Sequence, residues 1–388
     1  MILGIDASNI RAGGGVTHLV ELLRAVDPLA HGISQVIVWS GKPTLERIED
    51  RPWLVKSHQP LLDKSLPLRI FWQRFRLSGL ARATGCDLLF VPGGSYAGNF
   101  HPIVTMSQNL LPFEWHELCR FGWSWMTFKF LLLRLIQART FRRADGLIFL
   151  TTYARDIVMG VIKTTVGKKT IIPHGIDSRF ICPPQEQLSI TRYTFEHPFR
   201  ILYVSVIDVY KHQWHVAESV AQLRKSGLPV ALDLVGPAYP PALKRLKKLL
   251  SRIDSQGEFV QYLGALLYSE LNARYAKANL CLFASSCENM PNILLEGMAS
   301  GLPIACSNSG SMPEILGNAG VYFNPEDPQD IARALKELIY SPELRTDKAR
   351  ASFEGAQVYS WARCSRETFK FISDVFGTKD RKAELCGF

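Results

Sequence analysis

Two carboxylates eight positions apart, Glu288 and Glu296, lie in the most chemically loaded stretch of this 388-residue chain, Leu282 to Gly310. Leu280 to Ala284 reads as a buried strand, and Ser285, Ser286 and Glu288 follow in a polar loop. Pro291 then suits the first position of a helix, where a missing N–H costs nothing. The N-terminus of such a helix offers free N–H groups and a positive dipole end to phosphate or sugar oxygens. With one glutamate in the loop and one on the helix, two carboxylates can surround one polyhydroxyl ligand, one accepting hydrogen bonds from a sugar and the other from a ribose. The spacing alone would be coincidence. It gains weight from its frame of strand, polar loop, Pro-started helix, Gly-Leu-Pro and a further strand.

Gly13-Gly14-Gly15 follows the first strand and opens a helix. Glycines there let backbone approach a phosphate or an acceptor, although a flexible turn explains them equally well. The run is not G-x-G-x-x-G, and no acidic residue follows the second strand where a ribose would need one, which argues against a dinucleotide site. His174 sits in the turn Pro-His-Gly-Ile-Asp (173–177), where it either supports the fold or faces a cleft. Eight cysteines, at 86, 119, 182, 281, 287, 306, 364 and 386, form no C-x-x-C pair. Zinc and thioredoxin-type chemistry are thereby disfavoured, and reduced thiols are expected. No Asp-x-Asp occurs to hold a metal on a diphosphate.

These groups need a scaffold, and the chain supplies one in two similar halves. Short apolar runs alternate with amphipathic stretches, the pattern of parallel sheets flanked by helices. In the first half, strands are expected over 2–7, 35–39, 88–91, 103–106, 146–151 and from 170. In the second they are expected over 200–206, 230–235, 260–263, 280–284 and 303–307. Helices are expected over 16–25, 212–224, 242–253, 268–276, 291–300 and 327–340, and over 346–376. Between Cys182 and Arg200 the periodicity breaks and three prolines appear, which reads as an interdomain linker. The expected domains are 1–185, 186–355 and a C-terminal helical segment, 356–388, returning to the first domain. Two α/β domains place a ligand near the carboxyl ends of their strands.

Composition is that of a globular protein, with 47% hydrophobic and 21% charged residues. The formal charge of +10 is uneven. Residues 1–185 hold 22 Lys and Arg against 13 Asp and Glu, whereas 186–388 hold 23 against 22. An anionic membrane, a phosphate-bearing substrate or nucleic acid could each account for this. No recognised nucleic-acid module appears, so nucleic acid is not expected as a partner. The N-terminus does not read as a signal peptide. The most apolar stretch, 121–138, contains Lys129 and Arg134 and does not read as a membrane span.

Two stretches mix cations with aromatics. One is Leu68 to Arg82, with Arg69, Arg74, Arg76 and Arg82 among Phe71, Trp72 and Phe75. The other is Trp115 to Arg143. Such helices suit an anionic leaflet. Trp123, Met126, Phe130 and Leu133 share a helical stripe that suits a core face as well.

The segment around the two glutamates resembles the retaining glycosyltransferases of the GT-B fold, family 4 (glycosyl transferases group 1), whose signature is E-x-x-P-x-x-x-x-E-A-M-A-x-G-x-P-V. The matching residues are Glu288, Pro291, Glu296, Met298, Ala299, Gly301 and Pro303, with Gly297 at the first Ala of the pattern. Further similarities are IIPHGID (171–177), ILYVSVIDVYKHQ (201–213), Asp233 to Gly236, and SGSMPEIL (309–316). The resemblance implies two Rossmann-like parallel-sheet domains facing a cleft. The first would take the acceptor and the second a nucleotide-sugar, which is the co-substrate; no other cofactor and no metal is implied.

Carried over residue by residue, Glu296 would bind the ribose and Glu288 would lie by the transferred sugar. Backbone groups of Asn289, Met290, Asn292 and Ile293 around Pro291 would line sugar and phosphate. Lys211 would neutralise the diphosphate, and Ser205, Gly14, Gly15 and His174 complete the implied donor set. The usual Gly-Arg is replaced by Ser205-Val206, and the usual His-Asp of the first domain by Gln108-Asn109, so Gln108 can hydrogen bond but cannot carry a proton.

The implied acceptor is lipid-linked or a polysaccharide, of lipopolysaccharide, O-antigen, capsule or exopolysaccharide type. The implied location is the cytoplasmic face of a membrane. Two rival readings are a nucleotide-sugar 2-epimerase of similar fold and a non-catalytic, membrane-bound partner of an assembly complex, the latter suggested by Val206 and Gln108.

Overall fold

The computed structural model describes residues 1–385, with the side chains of Tyr268 and 379–385 excepted; Cys386 lies outside the described residues. The chain divides into two compact units. One comprises Met1–Leu118, Gly122–Gly175 and the chain from Ser360; the other comprises Ile176–Tyr359 with Cys119–Phe121.

The first unit holds a seven-stranded, fully parallel sheet: β1 (Ile2–Asp6), β2 (Gln35–Ser40), β3 (Leu54–His58), β4 (Leu88–Val91), β5 (Ile103–Met106), β6 (Gly146–Phe149) and β7 (Lys168–Ile171), in the order β3-β2-β1-β4-β5-β6-β7. The second holds six parallel strands: β8 (Phe199–Val204), β9 (Val230–Val235), β10 (Val260–Tyr262), β11 (Leu280–Phe283), β12 (Ile304–Ser307) and β13 (Gly320–Phe323), ordered β10-β9-β8-β11-β12-β13. The central strands β4, β5, β6, β11 and β12 are buried at every position. Helices cover both faces of such sheets, which is why these strands read as continuous apolar runs rather than alternating ones.

Strand order reverses between β1 and β4 in one sheet and between β8 and β11 in the other. A crevice opens at such a point because the connections from the two neighbouring strands leave to opposite sides. The loops after β8 and β11 are therefore the ones the second sheet opens for a ligand.

Two boundaries differ from the sequence expectation. Apart from the short excursion Cys119–Phe121, the chain passes into the second unit at Gly175/Ile176, not at 185, and returns at Tyr359/Ser360. Residues 182–200 are not a linker: they belong to the second unit, pinned by the fully buried Arg345, whose guanidinium donates to Gln187 Oε1 (3.0 Å) and to the Leu188 carbonyl. The C-terminal helical stretch is two helices, Pro342–Ala356 and Trp361–Leu385, divided at the unit boundary. The second packs on the first unit, where Ser365 Oγ donates to the Leu22 carbonyl (2.9 Å) and Cys364, Phe369 and Ile372 are buried.

Among the described cysteines all seven are free, five of them buried. No described helix is long and apolar enough to cross a membrane.

Candidate active site

After β8 the chain turns through Ser205-Val206 and Asp208 to Lys211, and the helix Gln213–Lys225 begins behind it. Ser205 is buried, its N–H bonded to the Val235 carbonyl (2.8 Å) and its hydroxyl accepting from Gln213 Nε2 (2.7 Å). After β11 the loop Ala284–Met290 leads to Pro291 and the helix Asn292–Ala299. One backbone carbonyl joins the two loops: Tyr210 O accepts from the Ser286 N–H (2.9 Å) and from the Ser286 hydroxyl (3.3 Å). His212 Nε2 lies 2.9 Å from Ser286 Oγ.

This stitching places Lys211, only 6% exposed, against Glu288. Lys211 Nζ donates to Glu288 Oε1 and lies 5.0 Å from the Tyr210 ring and 5.4 Å from the Phe283 ring. The Tyr203 hydroxyl donates to the Lys211 carbonyl (2.7 Å), and burial, with Glu288 nearby, pushes that phenol far above its ordinary range. Asp208 is held above the usual carboxylate range by burial, with Lys211 opposing. The result is a nearly buried cation ion-paired with the Glu288 carboxylate. A doubly negative oxygen cluster of diphosphate type suits the same position.

Glu296 is buried on its helix, and its Oε2 accepts from the Tyr275 hydroxyl (3.3 Å). Pro291 is extended (φ −77°, ψ 110°) and caps the helix from outside, one position earlier than the sequence suggested. Asn289 and Met290 are buried, and Asn292 and Ile293 are half-buried at the helix start. Asn292 Oδ1 is buried without a hydrogen-bond partner. Gly297 stands where a Cβ would lie 2.8 Å from Cys281 Sγ, so glycine lets this helix approach β11 more closely than alanine would.

The first unit holds the remaining candidates. The helix Gly14–Ala25 opens directly on Gly14, and Gly13 has φ +67°, a backbone state glycine favours. A Cβ on Gly15 would lie 3.1 Å from Gln108 Oε1, so these two neighbour each other. Gln108 Nε2 is 3.2 Å from Met106 Sδ. Asn109 closes a turn by accepting from the Leu111 N–H (3.1 Å).

His174 is buried within its own unit: its Nδ1 is 2.9 Å from His18 Nδ1, and both rings pack on Trp361. Of the two roles open to it, the structure gives it the supporting one. Sequence reasoning missed His18, Tyr203, Tyr210 and Tyr275, which carry no motif signal.

Only one of the two facing Nδ1 atoms can carry a proton, and burial lowers His18 to about 4 and His174 well below its ordinary value. Both imidazoles are neutral when folded but protonate below about pH 6.5 when unfolded. Their contribution is complete above that pH and is lost on acidification towards about 4, by up to about 1.4 kcal/mol per pH unit per group. Urea midpoints at pH 7.5 and 5 are expected to differ clearly less for His18→Phe than for the natural chain. Equal differences would show that the pair does not set the acid limit.

The sequence of the first unit matches the model for "Glycosyltransferase Family 4" over residues 12–180, and the second matches "Glycosyl transferases group 1" over 198–341. The chain belongs to the family 4, group 1 glycosyltransferases.

This member of the family is 29% identical over 123 residues to O-antigen chain mannosyltransferase B of Escherichia coli, covering 32% of each chain. Sucrose-phosphate synthase from Thermosynechococcus elongatus superposes with a TM-score of 0.74 at 18% identity, over 97% of this chain and 100% of that one. Anabaena HepE, solved with UDP-glucose, gives 0.69 at 15%, over 97% and 100%. Those likenesses fix the GT-B fold. The chain spans only part of the curated relatives it matches, from 15% to 60% of their length.

Proposed function

We propose that the chain is a retaining, metal-independent glycosyltransferase that moves a sugar from a nucleoside-diphosphate sugar to a lipid-linked or polysaccharide acceptor. The observation that carries this reading is the Lys211–Glu288 pair at the strand-order reversal of the second sheet. The E. coli O-antigen relative and the UDP-glucose complex of HepE support the acceptor and donor classes.

In the reaction proposed, the bond from the anomeric carbon to the β-phosphate oxygen breaks, and the acceptor oxygen bonds the same face of that carbon. The acceptor's proton passes to the departing phosphate. Lys211 offsets the charge that grows on that phosphate. This route asks no proton transfer of Gln108, which has none to give. Glu296, oriented by Tyr275, takes the ribose hydroxyls.

Incubation with UDP-, GDP-, ADP- and dTDP-sugars should release nucleoside diphosphate from one of them, and the product should keep the donor's anomeric configuration by NMR. No release from any of these would sink the transferase reading; an inverted product would sink the retaining mechanism. Glu296→Ala should weaken donor binding by about 10- to 100-fold, the value of a hydrogen bond to a charged group. Undiminished affinity in calorimetry would remove Glu296 from the site.

A further inference from the structure

The outward face of the helix Trp125–Arg143 is apolar where solvent should have selected polar groups. Its exposed positions are Trp125, Phe128, Lys129, Leu132, Leu135, Arg139, Arg142 and Arg143. These follow helical spacing and form one stripe. Trp125 is 75% exposed, Leu135 68% and Phe128 57%, and Trp123, just ahead of the helix, is fully exposed. The inward stripe is a different one, Met126, Phe130 and Leu133, with Phe130 buried. Trp123 is therefore not part of the core face its spacing suggested. The helix has an apolar front half and a cationic rear half on the same outer face.

A second element shares this chemistry. In 66–83, Phe71 and Phe75 are exposed with rings 4.9 Å apart, flanked by the exposed Arg74 and Arg76. Both elements hold the loop after β4: Gln73 Nε2 donates to the Ser95 carbonyl (2.9 Å), and Thr140 Oγ1 accepts from the Tyr96 N–H (3.0 Å). Neither contains an acidic residue: none occurs between Asp63 and Asp87, nor between Glu117 and Asp145.

Monomeric proteins seldom leave contiguous aromatic and aliphatic surface of this kind in water. From the exposed stripe, its cations and the absence of carboxylates, we infer that Trp123 and the outer face of Trp125–Arg143 dock on an anionic phospholipid leaflet. Trp123, Trp125, Phe128, Leu132 and Leu135 enter the interface, and Lys129, Arg139 and Arg143 meet the head groups. Tryptophan suits that depth, with an apolar ring and a polar N–H. Lipid attachment needs no donor, so it stands or falls separately from the transferase reading.

The test is co-sedimentation of the full chain with vesicles of phosphatidylcholine alone and of phosphatidylcholine with phosphatidylglycerol. The chain should partition to the anionic vesicles only. Trp123→Ser/Trp125→Ser/Phe128→Ser and, separately, Arg139→Glu/Arg143→Glu should each weaken partitioning by about tenfold or more. These side chains are exposed, so both variants should retain the natural melting temperature and donor turnover. Absence of binding to anionic vesicles, or binding unchanged in both variants, would overturn the inference. A dimer by light scattering that the aromatic variant abolishes, without vesicle binding, would overturn it in favour of a second copy of the chain.

Discussion

Lys211→Ala is expected to lower kcat by about 10²–10³-fold, the loss seen when one preorganised charge-stabilising group is removed from a transition state. The effect belongs in kcat rather than KM because the leaving diphosphate gains negative charge as the glycosidic bond breaks, so the cation matters most there. The surroundings of Lys211 suit the proposed role. Its ammonium is nearly buried beside two aromatic rings, and its carbonyl is fixed by Tyr203. Lys211→Arg should recover part of the rate by keeping the charge, though its planar fork does not reproduce the point geometry of an ammonium. Steady-state kinetics at saturating donor decides the matter. A kcat within about threefold of the natural chain would remove Lys211 from the reaction.

The second large effect falls on stability. Arg345 donates to the carbonyls of Leu338 and Ile339 (2.7 Å each), to Gln187 Oε1 and to Leu188 O. Leu338 and Ile339 lie in the last turn of the helix Pro328–Tyr340, whose terminal carbonyls have no partner within the helix. A cation there also opposes the helix dipole. Arg345→Met would keep most of the volume but strand several buried acceptors, at about 1–3 kcal/mol for each. A total of about 3 kcal/mol or more corresponds to a fall in melting temperature of about 6–12 °C for a unit of this size. A fall below about 2 °C would mean that water replaces the guanidinium.

Arg345 also shows why part of the architecture could not be read along the chain. Residues 182–200 carry prolines and no period, so by themselves they look like a tether. What orders Gln187 and Leu188 is a side chain 157–158 positions away. The buried strands fared better, because runs such as Leu88–Val91 and Ile103–Met106 admit little else. β3 was missed because, at the sheet edge, three of its five residues are half-buried and two exposed, and they include Lys56 and His58. β13 was missed because a single short apolar run after Gly320 carries no alternation.

In the site, Glu288, Lys211 and the helix after Pro291 stood out from types and spacing. Their pairing did not, since it depends on the Tyr210 carbonyl, and backbone carbonyls leave no trace in residue type. The outer stripe of Trp125–Arg143 was hidden for another reason: both faces of that helix are apolar, so periodicity alone cannot say which one points in.

The Lys211–Glu288 pair bears on how turnover ends. In the proposed reaction, nucleoside diphosphate at Lys211 would displace the Glu288 carboxylate, whose return would favour dissociation of the product. The carboxylate would then act as an internal competitor, and apparent affinity for the product would be reduced by the fraction of time the internal pair is closed. Glu288→Gln, which removes the competing charge but keeps the shape, should bind nucleoside diphosphate about tenfold more tightly while turning over more slowly. On the proposed reading, such a site would trade tightness of grip for release, with the carboxylate assigned to the sugar also emptying the phosphate seat.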